Sequence, residues 1–239
     1  MGQKVHPLSF KLGYIKTWDS RWFAKKKDYP GLLLEDIKLR KYIKDRLKQA
    51  GVARVEIERA GDRARINIRT AKPGIIIGRK GADIDRLRDE LQDMTGKNIY
   101  IDIQEVKDPA LDAQLVADEI AIMLERQGSL KFKVIAYKML QQIIKTGALG
   151  AEIVLSGKLP SDRARRWRFS HGYLKKTGDP AKVVDTAQAQ ATTMPGVVGV
   201  QVKILPPNAK IHDQIIVDDK LKNEIRATLI EMESLKESP

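Results

Sequence analysis

The stretch Pro73-Gly74-Ile75-Ile76-Ile77-Gly78-Arg79-Lys80-Gly81 decides the fold of this chain. It places a short apolar run before a Gly-x-x-Gly loop whose two middle residues are both basic. Ile84 and Leu91 belong to an amphipathic pattern that follows the loop and stops at Gly96, which predicts a helix with a glycine at its end. The loop therefore connects two predicted helices.

Gly-x-x-Gly alone is a weak signal, because it also occurs at residues 147–150 and 196–199, where a helix end and a strand start explain it. Only the first copy carries basic residues between two helices. There, glycines without a Cβ atom let an RNA backbone approach, and the next helix offers free N–H groups to phosphate. Residues 75–77 and Ile84 either pack against bases or belong to the core. The predicted RNA contacts of this loop are Lys72, Gly78, Arg79, Lys80 and Gly81.

The sequence around the loop predicts a small mixed domain over residues 35–107. Apolar residues at four-residue spacing predict a first helix that ends at Gly51: Leu39, Ile43 and Leu47. Three stretches alternate between apolar and polar residues and predict two strands of a hairpin and a later third strand: 54–58, 64–69 and 99–103. The resulting order, α-β-β-α-GxxG-α-β, resembles a type II K-homology (KH) domain. A KH loop holds about four nucleotides by their backbone.

Residues 108–207 predict a second domain of a different order. Two helical patterns are separated by Gly128, and after Gly150 the apolar period changes to two. Two helices followed by several strands indicate two helices packed on one face of an antiparallel sheet. The fold class of the whole chain is therefore α+β.

The charge of the chain predicts a polyanionic partner. Lys and Arg number 44 against 31 Asp and Glu, a net charge of +13. The excess is 7 − 2 = +5 for residues 1–34, 18 − 13 = +5 for 35–107 and 14 − 9 = +5 for 108–207, whereas 208–239 carries 5 − 7 = −2. The first segment is predicted to be a basic extension that becomes ordered on RNA, and the last an acidic tail without a function of its own.

Two further basic surfaces are predicted from charge mixed with aromatic residues. The N-terminal candidates for RNA contact are Lys4, His6, Lys11, Arg21, Lys25, Lys26 and Lys27. The candidates in the second domain are Arg163, Arg165, Arg166, Arg168, Lys175 and Lys176, with Trp167, Phe169 and Tyr173 among them. A strand whose aromatic residues face the core and whose arginines face water explains the second pattern equally well, and the two interpretations are compatible.

The composition excludes several protein classes. The chain has no cysteine, which excludes disulfides, thiolate metal sites and cysteine nucleophiles and fits a reducing compartment. Its three histidines are too scattered for a metal cluster, so neither a metal nor a cofactor is expected. No apolar run reaches the roughly 18 residues that span a bilayer. The residues before Gly157-Lys158 lack the first glycine of a Walker loop, and no set of nucleophile, base and orienting residue is recognised. Neither an enzyme nor a small-molecule substrate is therefore expected.

A family resemblance covers residues 1–207. The opening Met1-Gly2-Gln3-Lys4-Val5-His6-Pro7, the run from Trp18 to Phe23 and the KH loop are similar to bacterial members of the small-subunit ribosomal protein S-three family. Two segments are closer to archaeal and eukaryotic members: Ser156-Gly157-Lys158-Leu159 and Lys176-Thr177-Gly178-Asp179-Pro180-Ala181. The resemblance implies a structural protein of the small-subunit head that takes part in translation in the cytoplasmic ribosome.

The same resemblance implies particular partners. They are 16S-type ribosomal RNA, neighbouring head proteins, and mRNA at the channel through which it enters. In many bacterial members, an aromatic residue and two arginines at the start of a helix after the KH domain are linked to mRNA unwinding. Here that stretch begins Phe132-Lys133-Val134, and only Lys133 and Lys138 keep the charge, which argues against strong unwinding. The alternative functions are a non-ribosomal KH-type regulatory factor and an RNA-remodelling enzyme.

Overall fold

A four-stranded mixed sheet occupies the N-terminal half of the computed structural model. Its elements, with the helices around them, are α1 (Pro7–Lys11), β1 (Ser20–Arg21), α2 (Tyr29–Arg46), β2 (Val52–Ala60), β3 (Arg63–Thr70), α3 (Pro73–Ile77), α4 (Ala82–Thr95) and β4 (Asn98–Glu105). The strand order is β1-β2-β3-β4. Strands β2 and β3 form the predicted antiparallel hairpin, and β4 runs parallel to β3. The predicted order α-β-β-α-GxxG-α-β is confirmed.

Alternation along the strands produces the core of this half. Ile57, Ile66 and Ile68 are fully buried and face the helices, because successive strand residues point to opposite sides of a sheet. Leu39 of α2 and Leu91 of α4 belong to the same buried cluster. Each apolar side chain buried in this way contributes about 1.5–3 kcal/mol.

The first long helix is shifted relative to its prediction. It begins at Tyr29, where Pro30 occupies the first turn, and it ends at Arg46. The predicted end at Gly51 is wrong, because residues 47–50 form a turn that leads into β2. Proline suits a first helical turn, since its missing N–H group has no partner there in any case. The expected boundary between residues 34 and 35 consequently falls inside α2.

Buried polar contacts attach part of the N-terminal segment to this sheet. Ser20 and Arg21 pair in parallel with β2. The indole Nε1 of Trp22 donates a hydrogen bond to Asp36 Oδ2 at 2.7 Å. Asp36 in turn accepts from Arg59 Nη2 at 2.6 Å inside the protein. This stretch thus has partners within the protein, because it pairs with β2 and its tryptophan reaches a buried carboxylate.

A four-stranded antiparallel sheet forms the second half, as predicted. Its elements are α5 (Ala113–Gln127), α6 (Phe132–Lys145), β5 (Gly150–Lys158), β6 (Ala164–Gly172), α7 (Pro180–Val183), β7 (Asp185–Thr193) and β8 (Gly196–Leu205). The strand order is β6-β5-β8-β7. Helices α5 and α6 supply the predicted helical layer, with Ile120 and Ile143 in one core cluster with Ile153 and Val202.

A side-chain cap explains where α5 begins. Asp112 Oδ1 accepts hydrogen bonds from the backbone N–H groups of Gln114 at 2.9 Å and Leu115 at 3.2 Å. These donors have no partner within the helix, so a capping aspartate stabilises the first turn by about 1 kcal/mol. Burial raises the pKa of Asp112 above its usual value, although the two N–H groups act in the opposite direction.

The structure describes residues 3, 5, 7–14, 16–61, 63–178, 180–209, 222, 225 and 226. Residues 1–207 form one compact unit and 208–239 a second. The predicted RNA contacts Lys4 and His6 and most of the predicted acidic tail lie outside the described residues. Within the described ranges, no helix is long and apolar enough to cross a membrane.

Candidate nucleic-acid interface

The Gly-x-x-Gly loop links α3 to α4 through a single 3₁₀ turn, Arg79–Gly81. Gly78 has φ 69° and ψ −172°, and Gly81 has φ 83° and ψ 6°. Both backbone conformations favour glycine, because a Cβ atom at positive φ meets the neighbouring backbone. The two glycines thus build a tight turn whose surface carries Arg79, which is exposed.

The isoleucines beside the loop divide into core and surface. Ile76 is 1% exposed and belongs to the core, whereas Ile75 and Ile77 are 47% and 42% exposed. The core interpretation is therefore correct for Ile76, whereas packing against bases stays a prediction for Ile75 and Ile77. Lys72, just before α3, is also exposed. An apolar strip and cations thus share the side of the fold that carries the loop.

Asp83 was missed by the sequence reasoning, and it changes the electrostatics of the loop. This residue lies in the first turn of α4. A Cβ atom added to Gly78 would lie 2.5 Å from its Cγ atom, so the carboxylate packs directly against the loop. An aspartate at this position already interacts with the positive end of the helix dipole and weakens its attraction for phosphate. The cations of the loop are consequently more important than the helix end.

The second predicted surface lies on β6 and just before it, where the aromatic residues of the strand are less exposed than the arginines. Phe169 is buried, Trp167 is half-buried, and the indole Nε1 of Trp167 donates to the Leu159 carbonyl at 3.0 Å. Arg163, Arg165 and Arg166 are exposed, and the described part of the chain holds no ion pair for them. They remain available to a polyanion.

Two other cations of this surface are engaged by a buried carboxylate. Glu152 of β5 is 2% exposed, and its Oε2 atom lies 3.0 Å from Arg168 Nε. Lys176 forms a second ion pair with the same oxygen. A buried carboxylate needs such partners, because burying an unpaired charge is costly. Arg168 and Lys176 thus have a structural role that the sequence did not reveal.

Helix α6 presents the two lysines predicted to contact mRNA. The Lys133 ammonium lies 4.9 Å from the centre of the Trp167 ring, a cation–π contact. Lys138 is exposed, as are the apolar side chains of Val134 and Tyr137. The surface of α6 is therefore mixed, with two cations beside apolar groups.

The described N-terminal candidates fall into three different environments. Lys25, Lys26 and Lys27 are exposed. Arg21 Nη1 forms an ion pair with Glu58 Oε1 at 3.2 Å on the neighbouring strand. Lys11 is 8% exposed, and its ammonium donates to the Val184 carbonyl at 2.9 Å. The side chain of Lys11 is thus used in a contact within the protein, and its predicted RNA contact stays a prediction.

Comparisons with known proteins match both halves of this architecture. The model of the KH domain matches residues 38–111, and that of the C-terminal domain of ribosomal protein S3 matches 120–204. The chain is 47% identical to the small ribosomal subunit protein uS3 of Koribacter versatilis over 221 residues, 90% of this chain and 97% of the relative. The uS3 protein of Geobacter sulfurreducens is 46% identical over 204 residues, 85% of this chain and 95% of the relative. The chain belongs to the uS3 family.

The matched segments of this uS3-family chain correspond to its two sheets. The first contains the Gly-x-x-Gly loop, and the second contains α6 and the arginines of β6. A third relative, the uS3 protein of Desulforamulus reducens, is 44% identical over 205 residues, 85% of this chain and 91% of the relative. The family resemblance seen in the sequence is thus confirmed.

The fold also brings together cations that the sequence assigned to separate surfaces of this uS3-family chain. Lys11 of the N-terminal segment and Lys175 and Lys176 of the second domain line one cavity, together with Lys16 and Lys203. Only their positions in the folded chain reveal this, since Lys11 and Lys203 are far apart in sequence. No group of acidic residues or histidines in the described ranges has the arrangement of a metal site.

Proposed function

We propose that this structural protein of the small ribosomal subunit binds its ribosomal RNA through the KH loop and the arginines of β6, with α6 facing mRNA. As a ribosomal protein it acts in the ribosome, in the cytoplasm. The mRNA contact, the position in the subunit head at the channel where mRNA enters, and the neighbouring head proteins are parts of this proposal. The exposed lysines 25–27 add a third basic surface.

One observation carries the KH part of the proposal. Arg79 is exposed on a tight turn between two glycines, so phosphate can approach the backbone and the guanidinium together. The exposed Ile75 and Ile77 provide an apolar surface beside it for bases. A loop with only a structural role has no need for an exposed cation and two exposed isoleucines in the same place.

The β6 surface supports a second RNA contact. Arg165 and Arg166 are exposed near the start of β6, and Arg163 is exposed just before the strand. Arginine presents several N–H donors in a fixed plane and binds phosphate in a bidentate manner. Lys133 and Lys138, the proposed mRNA contacts, lie on the nearby α6, and Lys133 contacts the Trp167 ring of β6.

The alternative, a non-ribosomal KH-type regulatory factor, is not favoured. The uS3 relatives are similar to this chain over both sheets and not over the KH half alone. A free regulatory factor that shares only the KH domain does not account for the similarity of residues 120–204. The relatives carry names of ribosomal components and not of enzymes.

Co-sedimentation tests the ribosomal part of the proposal. A tagged full-length chain expressed in bacterial cells is expected to migrate with small subunits in a sucrose gradient and to remain there after a moderate salt wash. If the tagged chain stays at the top of the gradient while small subunits migrate normally, the proposal is wrong.

The KH loop is tested by reversing its charge. Arg79→Asp combined with Lys80→Asp is expected to weaken RNA binding and to reduce the slope of log affinity against log salt by about two, one for each phosphate that the loop no longer binds. The matched control, Lys41→Asp with Lys145→Asp, removes equal charge from exposed helix positions outside the proposed surfaces. An unchanged slope in the loop variant, or equal reductions in both variants, would show that the loop does not bind phosphate.

A further inference from the structure

The outer face of the first sheet carries one exposed aromatic side chain among charged groups. Ile99 and Ile101 of β4 pack in the core cluster of this half. Tyr100 lies between them and therefore points to the opposite side of the sheet, where it is 56% exposed. Within the described residues, neither its ring nor its hydroxyl group has a partner. The ring is thus available to a ligand.

Arg65 of β3 lies directly beside Tyr100. The two residues are register partners on parallel strands, so their side chains leave the same face about 5 Å apart. Arg65 is exposed and forms no ion pair with any described carboxylate. Its register partner on the other side, Glu58, is instead paired with Arg21 at 3.2 Å. An accessible ring and an uncompensated guanidinium group therefore lie side by side.

The remaining charges of the face show where an anion fits. Three arginines lie 3.5–3.7 Å from the buried Glu56: Arg21, Arg54 and Arg69. Two exposed residues beside the Tyr100 row form no ion pair in the described chain, Arg63 on one side of it and Asp102 on the other. Asp102 lies two positions along β4, about 7 Å from Tyr100. Phosphate is thus expected on the side of Arg63 and Arg65, away from Asp102.

One flat ring beside free guanidinium groups fits a nucleotide of a single strand. An unpaired base stacks on an aromatic ring, and an adjacent phosphate accepts hydrogen bonds from arginine. Bases in a duplex are already stacked on one another and cannot reach the ring. A protein partner needs an interface centre that is poor in charge, whereas Tyr100 is the one large side chain without a charge or amide among the described residues of this face.

We propose that the outer face of the first sheet binds a nucleotide of single-stranded RNA, with its base stacked on Tyr100 and its phosphate held by Arg65 and Arg63. This site is distinct from the Gly-x-x-Gly loop, because α3 and α4, which the loop connects, pack on the opposite face of the sheet. The proposal rests on the RNA-binding function proposed above and adds a second contact to the KH half.

Fluorescence anisotropy of a short, unstructured single-stranded RNA with the purified full-length chain tests the stacking. Tyr100→Ala is expected to weaken binding about fivefold or more, the effect of losing one base–aromatic stack. Tyr100→Phe keeps the ring and should stay within about twofold of the wild type. The matched control is Tyr14→Ala, which removes another exposed tyrosine, and it should also stay within about twofold. A duplex of the same sequence should bind equally well to all four proteins.

The salt dependence of the same binding tests the phosphate contact. Arg65→Gln should reduce the slope of log affinity against log salt by about 0.7, the value for one phosphate of a single strand. Arg126→Gln removes an exposed arginine of α5 that is likewise without an ion pair in the described chain, and it should leave the slope unchanged.

Cross-linking locates the RNA on the face. Irradiation of the complex with RNA that contains 4-thiouridine, followed by trypsin and mass spectrometry, should yield an adduct on the peptide of residues 98–107, which contains Tyr100. The adduct should persist in the chain with Arg79→Asp and Lys80→Asp, because the two sites are on opposite faces of the sheet.

The proposal is overturned if Tyr100→Ala binds single-stranded RNA as tightly as the wild type, or if Tyr14→Ala loses as much affinity. Thermal unfolding of each variant establishes that it is folded. If RNA binding is unchanged but the Tyr100→Ala chain no longer co-sediments with small subunits, the face contacts a protein and the proposal is wrong. A Tyr100→Ala chain that co-sediments and binds RNA normally would refute the sheet site and leave the ribosomal function intact.

Discussion

Replacing Gly78 by alanine tests whether the KH loop depends on its glycine for conformation alone or also for space. The φ of 69° and ψ of −172° lie in a region that is essentially restricted to glycine. Holding a residue with a Cβ atom in this conformation lowers the free energy of unfolding by about 1–3 kcal/mol. We therefore expect a large loss of stability from a single added methyl group on an otherwise exposed loop.

Asp83 increases this cost. The new Cβ atom would lie 2.5 Å from Cγ and 2.7 Å from Cβ of Asp83, so rotation of the carboxylate does not relieve the collision and the first turn of α4 must move. When two residues are in contact, the effects of their substitutions on the free energy of unfolding differ from additivity by about 0.5–3 kcal/mol. A total loss of about 3 kcal/mol corresponds to a fall in Tm of about 6–12 °C for a unit of this size.

Gly81→Ala is the matched control. Gly81 also has a positive φ, 83°, but the nearest atom to an added Cβ is Ile84 Cγ2 at 4.0 Å. Only the left-handed backbone penalty of about 1–2 kcal/mol is then expected. Urea unfolding followed by circular dichroism measures the free energy of unfolding of both variants, and Asp83→Gly combined with Gly78→Ala completes a double-mutant cycle.

Two results would refute this reasoning. Gly78→Ala could prove no more destabilising than Gly81→Ala, which would mean that the loop relaxes without cost. Alternatively, the loss caused by Gly78→Ala could be the same with and without the Asp83 side chain. The expected outcome is a loss smaller by about 1 kcal/mol in the Asp83→Gly background.

Three further expectations concern the second domain. Lys133→Ala with Lys138→Ala should weaken binding of a defined mRNA to reconstituted small subunits and leave duplex unwinding unchanged; lost unwinding would instead favour the RNA-remodelling function. Phe132→Ala should reduce the free energy of unfolding in urea by about 3–5 kcal/mol, since this buried ring lies 5.3 Å from Trp167, and a loss below about 2 kcal/mol would contradict this. Burial raises the pKa of Asp118. At pH values where the carboxyl is ionised, its charge therefore lowers the free energy of unfolding. Asp118→Asn should therefore stabilise the chain at neutral pH, and the gain should disappear in denaturation curves at acidic pH.

Local signals were sufficient for most of the fold. The alternation around Ile57 and Ile66 predicts the hairpin, and the glycines at 78 and 81 predict the turn between two helices, because each depends on neighbours in sequence. The end of the first helix was wrong for a related reason. Gly51 is a plausible stop by itself, but the chain needs the turn at residues 47–50 to enter β2.

Long-range contacts account for what the sequence could not predict. Lys11 donates to the carbonyl of Val184, which is 173 positions away. Trp22 donates to Asp36 of α2 directly after β1, which pairs with β2. Neither pairing produces a periodic pattern, so charge and aromatic content favoured RNA contact for residues that are instead used within the protein.

Because some cations are paired within the protein, the net charge overestimates how many of them are available to RNA. Arg168 and Lys176 were counted among the cations of the second domain, yet both neutralise the buried Glu152. Giving up both ion pairs to phosphate would leave a buried carboxylate unpaired, at a cost of several kcal/mol. Arg163, Arg165 and Arg166 have no such partner in the described chain. The salt dependence of RNA binding should therefore respond to removal of these three arginines and be nearly insensitive to Arg168, although all four lie close together in the sequence.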